Sequence, residues 1–410
     1  MTTSRVINFG AGPSTLPQSV LEKAAQGLLN FEDTGIGIAE ISHRSKEFVA
    51  FISNVEALIR SQLNVPPTHS ILFTQGGGTT QFSAVVLNLL ARHKLLHPEL
   101  TDDERVMDYV LTGSWSKKAF LEAKRLGGAR ANIALDARKY SKDGVSFDNV
   151  PPHDEYAFSP ASALIYYCEN ETIDGVQFSP DPSAQTSFPF TILPRERSGL
   201  LPLVGDHSSS FMSRPIPHLS EHAVIFAGAQ KNIGPAGLTV LIVRQDCLVD
   251  VDAAAKLGAT PVPLCLSYKT LAEGRSLYNT PSLLPIYITG LVLERMQELG
   301  GLAYFEALGR RKAEKVYAAV RAGEERGVFQ GKVQAGSCSW MNVIFNVLGS
   351  GAESRFLAGA EKVGMKGLKG HRSVGGIRVS LYNAVTEADT DKLVDYMKEF
   401  VSEASSFCSA

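Results

Sequence analysis

Ala223-Val-Ile-Phe-Ala-Gly-Ala-Gln-Lys-Asn-Ile-Gly-Pro-Ala-Gly237 sets one lysine in a glycine-rich turn directly behind an apolar run. Ala223 to Ala227 reads as a buried parallel strand, and Gly228, Gly234 and Gly237 let the backbone turn tightly and leave room for a bulky group beside the lysine. A Schiff-base lysine is commonly presented in this way, which makes Lys231 the candidate reactive centre. Taken alone, the segment fits a surface lysine on an ordinary strand-to-helix loop equally well, so the surrounding pattern has to decide.

That pattern is an alternation. Short apolar runs at Ser70 to Phe73, Val106 to Leu111, Leu164 to Cys168, Leu201 to Val204, Val224 to Ala227 and Leu238 to Val243 are separated by helical periodicity. Strands alternating with helices imply an α/β fold with a mostly parallel central sheet covered by helices. Beyond Pro281 the chain changes to long amphipathic helices, Ile286 to Leu299 and Tyr304 to Ala322, followed by a strand-like Trp340 to Val347. A large domain over 17–290 and a smaller α/β domain built from 1–16 with 291–410 are expected. Ser179 to Gly199, rich in Pro, Ser and Thr, reads as a surface insertion.

Composition narrows the partners. The 410 residues are 44% hydrophobic, enough for a large core, and carry a net charge of −2 with both signs interspersed. Such a surface has no polyanion-binding face, which argues against nucleic acid. The five cysteines, Cys168, Cys247, Cys265, Cys338 and Cys408, are scattered without CxxC spacing. A disulfide framework and a metal site are therefore both disfavoured, and a reducing compartment fits. Met1 to Gly10 has no apolar signal core and no later run approaches membrane-spanning length, so a soluble cytoplasmic protein is expected.

Ser70 to Ala84 runs from a strand through Gly76-Gly-Gly78 into a helix, whose free amides and positive dipole end suit a phosphate. The Gly-Lys-Ser/Thr of a nucleotide loop is absent, which favours a small phosphorylated cofactor over ATP or GTP. Gly10-Ala-Gly12 runs into Pro13 and opens no helix, which disfavours a dinucleotide site. Asn170, Thr172 and Asp206 follow strands and would sit at the carboxyl ends of the sheet, where open α/β folds bind ligands. An aspartate there can keep the pyridine nitrogen of pyridoxal phosphate protonated, and a hydroxyl such as Thr172 can bond the ring oxygen. Trp115, in Gly113-Ser-Trp115, can lie flat on the same ring. Turn, cap and core roles are the ordinary alternatives for each.

Taken in order, these segments resemble the phosphoserine aminotransferases of the fold-type-I pyridoxal-phosphate superfamily (class V). The resemblance spans essentially the whole chain: Phe9-Gly-Ala-Gly-Pro13, Ile41-Ser-His-Arg44, Gln75 to Phe82, Asn170-Glu-Thr-Ile-Asp-Gly175, Ala229-Gln-Lys-Asn-Ile-Gly-Pro235, Tyr278-Asn-Thr-Pro281 and Gly370-His-Arg-Ser-Val-Gly-Gly-Ile-Arg378. It implies that Lys231 forms the Schiff base, Trp115 stacks on the ring, Thr172 contacts the ring oxygen and Asp206 pairs with the ring nitrogen. Gly78, Thr79, Gln230, Asn279 and Thr280 would hold the phosphate. Thr79 stands where many relatives carry arginine, which leaves its backbone amide as the expected contribution.

The substrates implied are phosphoserine, glutamate and their keto acids, 3-phosphohydroxypyruvate and 2-oxoglutarate, exchanged by ping-pong transamination in serine biosynthesis. One pocket must then accept both a distal phosphate and a distal carboxylate, and arginine forks bind either. Arg378 corresponds to the α-carboxylate anchor, and His43-Arg44 with His371-Arg372 to the distal-anion pocket. The resemblance also implies a homodimer with shared sites, in which Tyr278 to Pro281 and His43-Arg44 come from the neighbouring chain; Thr280 reads as a helix N-cap and Pro281 as the first helical residue. A transaminase of small neutral amino acids is disfavoured because it would leave two His-Arg pairs unfilled. A cysteine desulfurase has only Cys338 as loop nucleophile, and a silent scaffold does not account for Lys231 with Asp206.

Overall fold

The computed structural model describes residues 5–407. Cys408 and the first four residues of the opening segment lie outside that range. Seven strands form one sheet: β1 (His69–Thr74), β2 (Val106–Leu111), β3 (Arg130–Asp136), β4 (Ser162–Cys168), β5 (Leu203–Asp206), β6 (His222–Gly228) and β7 (Thr239–Arg244), in the order β1-β7-β6-β5-β4-β2-β3. All neighbours pair in parallel except β7, which runs antiparallel to β1 and β6. The mostly parallel sheet flanked by helices is therefore the architecture read from the alternation. The Leu201 to Val204 run is displaced, its strand being Leu203–Asp206, and β3 was not anticipated at all. Its sequence, Arg-Ala-Asn-Ile-Ala-Leu-Asp, lies at a sheet edge with its first half open to solvent, so it lacks the continuous apolar run of a central strand.

Side chains alternate across the sheet. Val224 and Phe226 of β6 face a core shared with the helices Gly77–Leu96 and Ser114–Leu126. Ile225 and Ala227 face the other way, into a core shared with the helices Lys46–Leu63 and Leu283–Glu298. Those two helices cover only part of that second face. Over β2, β4 and β5 the cover is Phe178, Phe188 and Leu193, packed on Val110, Ile165, Tyr167 and Leu203.

The Ser179 to Gly199 segment is thus not a surface insertion. Phe188 stacks on Tyr167 at 4.0 Å and meets Phe178 edge-on at 5.3 Å. Arg92 fastens the far end of the segment through Glu196 at 2.6 and 2.9 Å and also holds Asp246 at 2.6 Å. Its Pro, Ser and Thr content describes the loop surface, while its aromatic residues do the packing.

The C-terminal part has its own sheet, β8 (Phe329–Gly331), β9 (Asn342–Val347) and β10 (Ile377–Ser380), packed with the helices Gly301–Glu325, Ala352–Lys362 and Glu387–Phe407. Phe9 is buried in this same core, and Ile7–Asn8 pairs in parallel with Met365–Lys366. Asn170 ties the two sheets together: its Nδ2 donates to Ser209 Oγ at 2.7 Å and to Asn342 Oδ1 at 2.9 Å, and its Oδ1 accepts from Ser339 Oγ at 2.5 Å. If the 179–199 segment is part of the core, Phe188→Ala will cost about 3–5 kcal/mol of unfolding free energy in urea. A loss under about 1 kcal/mol would return the segment to the surface.

Candidate active site

Lys231 stands in the turn between β6 and β7, which the bond from Gly234 N to Ala229 O at 2.8 Å closes. The lysine is 9% exposed, and its Nζ donates to Thr172 Oγ1 at 3.1 Å. Gly12, at φ +132°, lies along the lysine stem, where a Cβ would come within 3.0 Å of Cδ and 3.1 Å of Cε. Only glycine satisfies both the backbone angle and that approach. Ser14 secures the same segment, its amide donating to Gln230 O at 3.0 Å and its hydroxyl to Lys231 O. Burial pushes the Lys231 pKa down to about 8; nearby Asp206 opposes the shift and Arg378 adds to it.

Asp206 closes β5 at the carboxyl end of the sheet and is 5% exposed. It accepts from Ser208 N at 2.9 Å and from the Tyr166 hydroxyl at 3.4 Å, and burial raises its pKa. Ser208 Oγ in turn accepts from Gly228 N at 3.2 Å, joining the ends of β5 and β6. Above them the helix Gly77–Leu96 begins, capped by Gly76 at φ +95°. A Cβ on Gly78 would lie 3.5 Å from Ser208 Oγ and 4.0 Å from Asp206 Oδ2. The unpaired amides of that first turn therefore open beside the carboxylate, with Thr79 exposed and Gln230 half-buried.

Arg378, on β10, is half-buried and reaches back to Thr172 O at 3.4 Å through Nη1. His371 Nδ1 accepts from Ser373 N at 3.2 Å and lies 2.7 Å from Ser373 Oγ. Its pKa is lowered by burial and then by the positive charges of Arg378, Lys118 and Arg372. The imidazole is thus one member of an electropositive group. Lys118 sits over the Trp115 ring at 4.1 Å, and the ring meets Phe82 at 6.3 Å. Trp115, His371, Arg372 and Arg378 are therefore brought into one neighbourhood.

The remaining expected residues lie on the outside of the chain. Arg44 is exposed, and His43 is half-buried with an Nε2 that has no partner among the described residues. Asn279 and Thr280 are exposed beside the glycine loop, where Thr280 O accepts from Gln75 Nε2 at 3.3 Å. Thr280 and Pro281 are not the cap and first residue of a helix. Ser282 is the N-cap and Leu283 begins the helix; the Ser282 hydroxyl makes no cap bond and donates instead to Gly237 O at 3.1 Å.

This donor set fits pyridoxal phosphate. Among the described residues a buried amine, a buried carboxylate without an ion-pair partner, an open helix N-terminus and the partnerless Trp115 Nε1 and Arg378 Nε lie around Thr172 and Gly78. Among the described residues no group of three or more His, Cys, Asp or Glu could hold a metal ion. The sequence reading missed Tyr166, Ser208, Lys118, Tyr382, Glu171 and Asp174. Lys118 carried a signal, since it lies one turn after Trp115 on the same helix. Tyr166 carried none, because a tyrosine inside an apolar strand reads as core.

The lysine environment makes a measurable statement. In cofactor-free protein the Lys231 amine will carbamylate with cyanate at a rate that levels off above about pH 9, while exposed lysines keep accelerating through about pH 10. Peptide mass spectrometry separates the sites, and a Lys231 profile parallel to the others would contradict the depressed pKa.

Residues 6–393 match the family described as Aminotransferase class-V. The chain is 39% identical over 401 residues to the phosphoserine aminotransferase of Ectopseudomonas mendocina (strain ymp), covering 98% of this chain and 99% of that one. It is 41% identical over 396 residues to phosphoserine aminotransferase 2, chloroplastic, of Arabidopsis thaliana, covering 97% and 84%. Among solved structures, phosphoserine aminotransferase from Bacillus circulans subsp. alkalophilus superposes with a TM-score of 0.84 at 35% identity, covering 98% of this chain and 100% of that one. The PLP-bound phosphoserine aminotransferase from Trichomonas vaginalis does so at 0.81 and 33%, covering 96% and 100%. With the fold, the buried lysine and the family match agreeing over nearly its whole length, the chain belongs to the class-V aminotransferases.

Proposed function

We propose that this chain is a pyridoxal-phosphate-dependent phosphoserine transaminase. It exchanges the amino group reversibly between O-phosphoserine and 2-oxoglutarate, giving 3-phosphohydroxypyruvate and glutamate, and serves serine biosynthesis. The observation that carries this reading is the meeting of the Lys231 amine, the Asp206 carboxylate and the Arg378 guanidinium around Thr172. Each is a group that transamination of an α-amino acid requires.

When bound, pyridoxal phosphate supplies an electron-poor ring that stabilises the negative charge left at the substrate Cα. Lys231 would hold that ring, and its amine, with a pKa brought down to about 8 by burial, is placed to take the substrate's α-proton and later return one. Asp206 would keep a proton on the ring nitrogen, Thr172 would bond the ring oxygen and Trp115 would cover one face. The amides of Gly78 and Thr79, with Gln230, Asn279 and Thr280, would hold the phosphate. Arg378 binds the α-carboxylate, and His43, Arg44, His371 and Arg372 bind the distal anion.

Exposure of Arg44, Asn279 and Thr280 on the isolated chain supports a homodimer in which these residues complete the partner's site. Division into 17–290 and 1–16 with 291–410 belongs to the same reading, supported by Phe9 packing in the C-terminal core. Among the described residues no helix is long and apolar enough to cross a membrane, which is consistent with a cytoplasmic enzyme.

A half-reaction screen tests the assignment: phosphoserine and glutamate will bleach the visible band of the bound cofactor, while serine and alanine will do so far more slowly. Arg372→Ala will lower kcat/KM for phosphoserine by about 10- to 100-fold, the worth of one charged hydrogen bond, and barely alter alanine turnover. Equal losses on both substrates would remove Arg372 from the anion pocket. Site sharing has its own test in mixing inactive Lys231→Ala with inactive Arg44→Ala. Exchange will restore up to about half of the activity per mixed dimer; no recovery after verified exchange would mean that each site is built within one chain.

A further inference from the structure

The backbone that carries Trp115 is held from a distant part of the chain. The helix Ser114–Leu126 opens with N–H groups that have no acceptor within the helix. Those of its first three residues end on two buried carboxylates. Ser114 N donates to Asp174 Oδ2 at 2.6 Å, Trp115 N to Glu171 Oε2 at 2.8 Å and Ser116 N to Glu171 Oε1 at 2.9 Å. Ser114 Oγ adds a bond to Asp174 Oδ1 at 3.1 Å. Glu171 is wholly buried and Asp174 nearly so. Gly113, at φ −172°, has an extended backbone open to any residue, so the constraint there is space: a Cβ would lie 2.2 Å from Glu171 Cδ.

Glu171 and Asp174 belong to the hairpin that pairs Asn170–Glu171 with Val176–Gln177, and Thr172 lies between them. One short turn therefore bonds the Trp115 amide on one side and the Lys231 amine on the other. Burial raises the pKa of both acids and they repel each other, so the amide bonds are what favour their charged forms. Lys332 and Lys118 supply the nearby positive charge, and Lys332 Nζ also holds Val374 O at 2.8 Å in the loop that bears His371 and Arg372.

We propose that Glu171, with Asp174 beside it, is a positioning residue that fixes the Trp115 indole relative to the Lys231 amine and so sets the width of the slot for the pyridoxal phosphate ring. The inference rests on the cofactor reading above. Its test uses the fact that the chain has two tryptophans, Trp115 and Trp340. Trp340→Phe leaves Trp115 as sole indole emitter in the full chain, studied with and without pyridoxal phosphate. In that background Glu171→Gln, which turns one acceptor into a donor facing an N–H, will raise acrylamide quenching of Trp115 at least about twofold and weaken cofactor binding about tenfold. Ala123→Gly loosens the same helix away from the carboxylates and will leave both readouts within about twofold.

If Glu171→Gln does not accumulate folded, Gly113→Ala displaces the carboxylate while keeping it and will give the same two changes. Unchanged quenching and affinity in the folded variant would overturn the proposal. So would the full effect in Ala123→Gly, which would mark a general loosening of the helix. Failure of the parent to bind pyridoxal phosphate would sink the cofactor reading alone, because quenching in the cofactor-free protein still decides whether Glu171 holds the indole.

Discussion

Burial of the Lys231 amine is the constraint on which the rest of this molecule turns. An ammonium taken out of water loses solvation that one hydroxyl cannot replace, and the depression of its pKa to about 8 is the visible consequence. Burial at that point needs material from across the sequence: Gly12 along the stem, Thr172 at the amine and the Tyr382 ring 6.0 Å away. The N-terminal segment must therefore cross to the end of β6, and the C-terminal sheet must close against the large one. The Tyr382 hydroxyl accordingly donates to Ala11 O at 3.0 Å, fastening the two contributions to each other.

Strands of the sheet interior were legible because both of their faces are buried. Val224 to Ala227 is apolar at every position since alternate residues serve different cores, and Val106 to Leu111 was read with the bounds it has. What escaped the sequence was what lacks that double burial. β3 has one partner and an open first half, so its apolar content falls below what periodicity can detect. The 179–199 segment buries aromatics at irregular spacing under a Pro- and Ser-rich exterior, and composition reports the exterior. The helix Leu283–Glu298 starts two residues beyond Thr280-Pro281, which satisfies the local rule for a helix start, and Ser282 at its cap spends its hydroxyl on a tertiary bond to Gly237 that no local rule contains.

The same division runs through the site. Lys231, Asp206 and Thr172 could be proposed because polar residues directly behind apolar strands fall at the ligand-binding edge of an open sheet. Ser208, Glu171 and Asp174 stand equally close to strand ends, yet their work is to receive or offer bonds to backbone amides. No side-chain pattern marks that work in advance. Arg378 contacts Thr172 across 206 positions of sequence, so its place depended on the resemblance and not on spacing.

A second buried lysine shows why geometry, not pKa, supports the proposal of Lys231 as the reactive one. Lys312, inside the helix Gly301–Glu325, is 1% exposed, and burial lowers its pKa to about 7, further than that of Lys231. Ranked by perturbation alone it would be the better candidate. Yet its Nζ donates to Leu381 O at 2.9 Å, Tyr382 O at 2.9 Å and Val385 O at 2.8 Å, which occupies every proton an ammonium has. A proton lost there would leave one of three buried carbonyls without its donor, so the arrangement favours the charged, inert form against the pull of burial. Among the described residues the Lys231 amine has one bond, to a hydroxyl that can act as donor as readily as acceptor, and it can be charged or neutral without stranding a partner. The saturated lysine holds the 381–385 segment and with it Tyr382; the unsaturated one, facing that same ring, is free for chemistry.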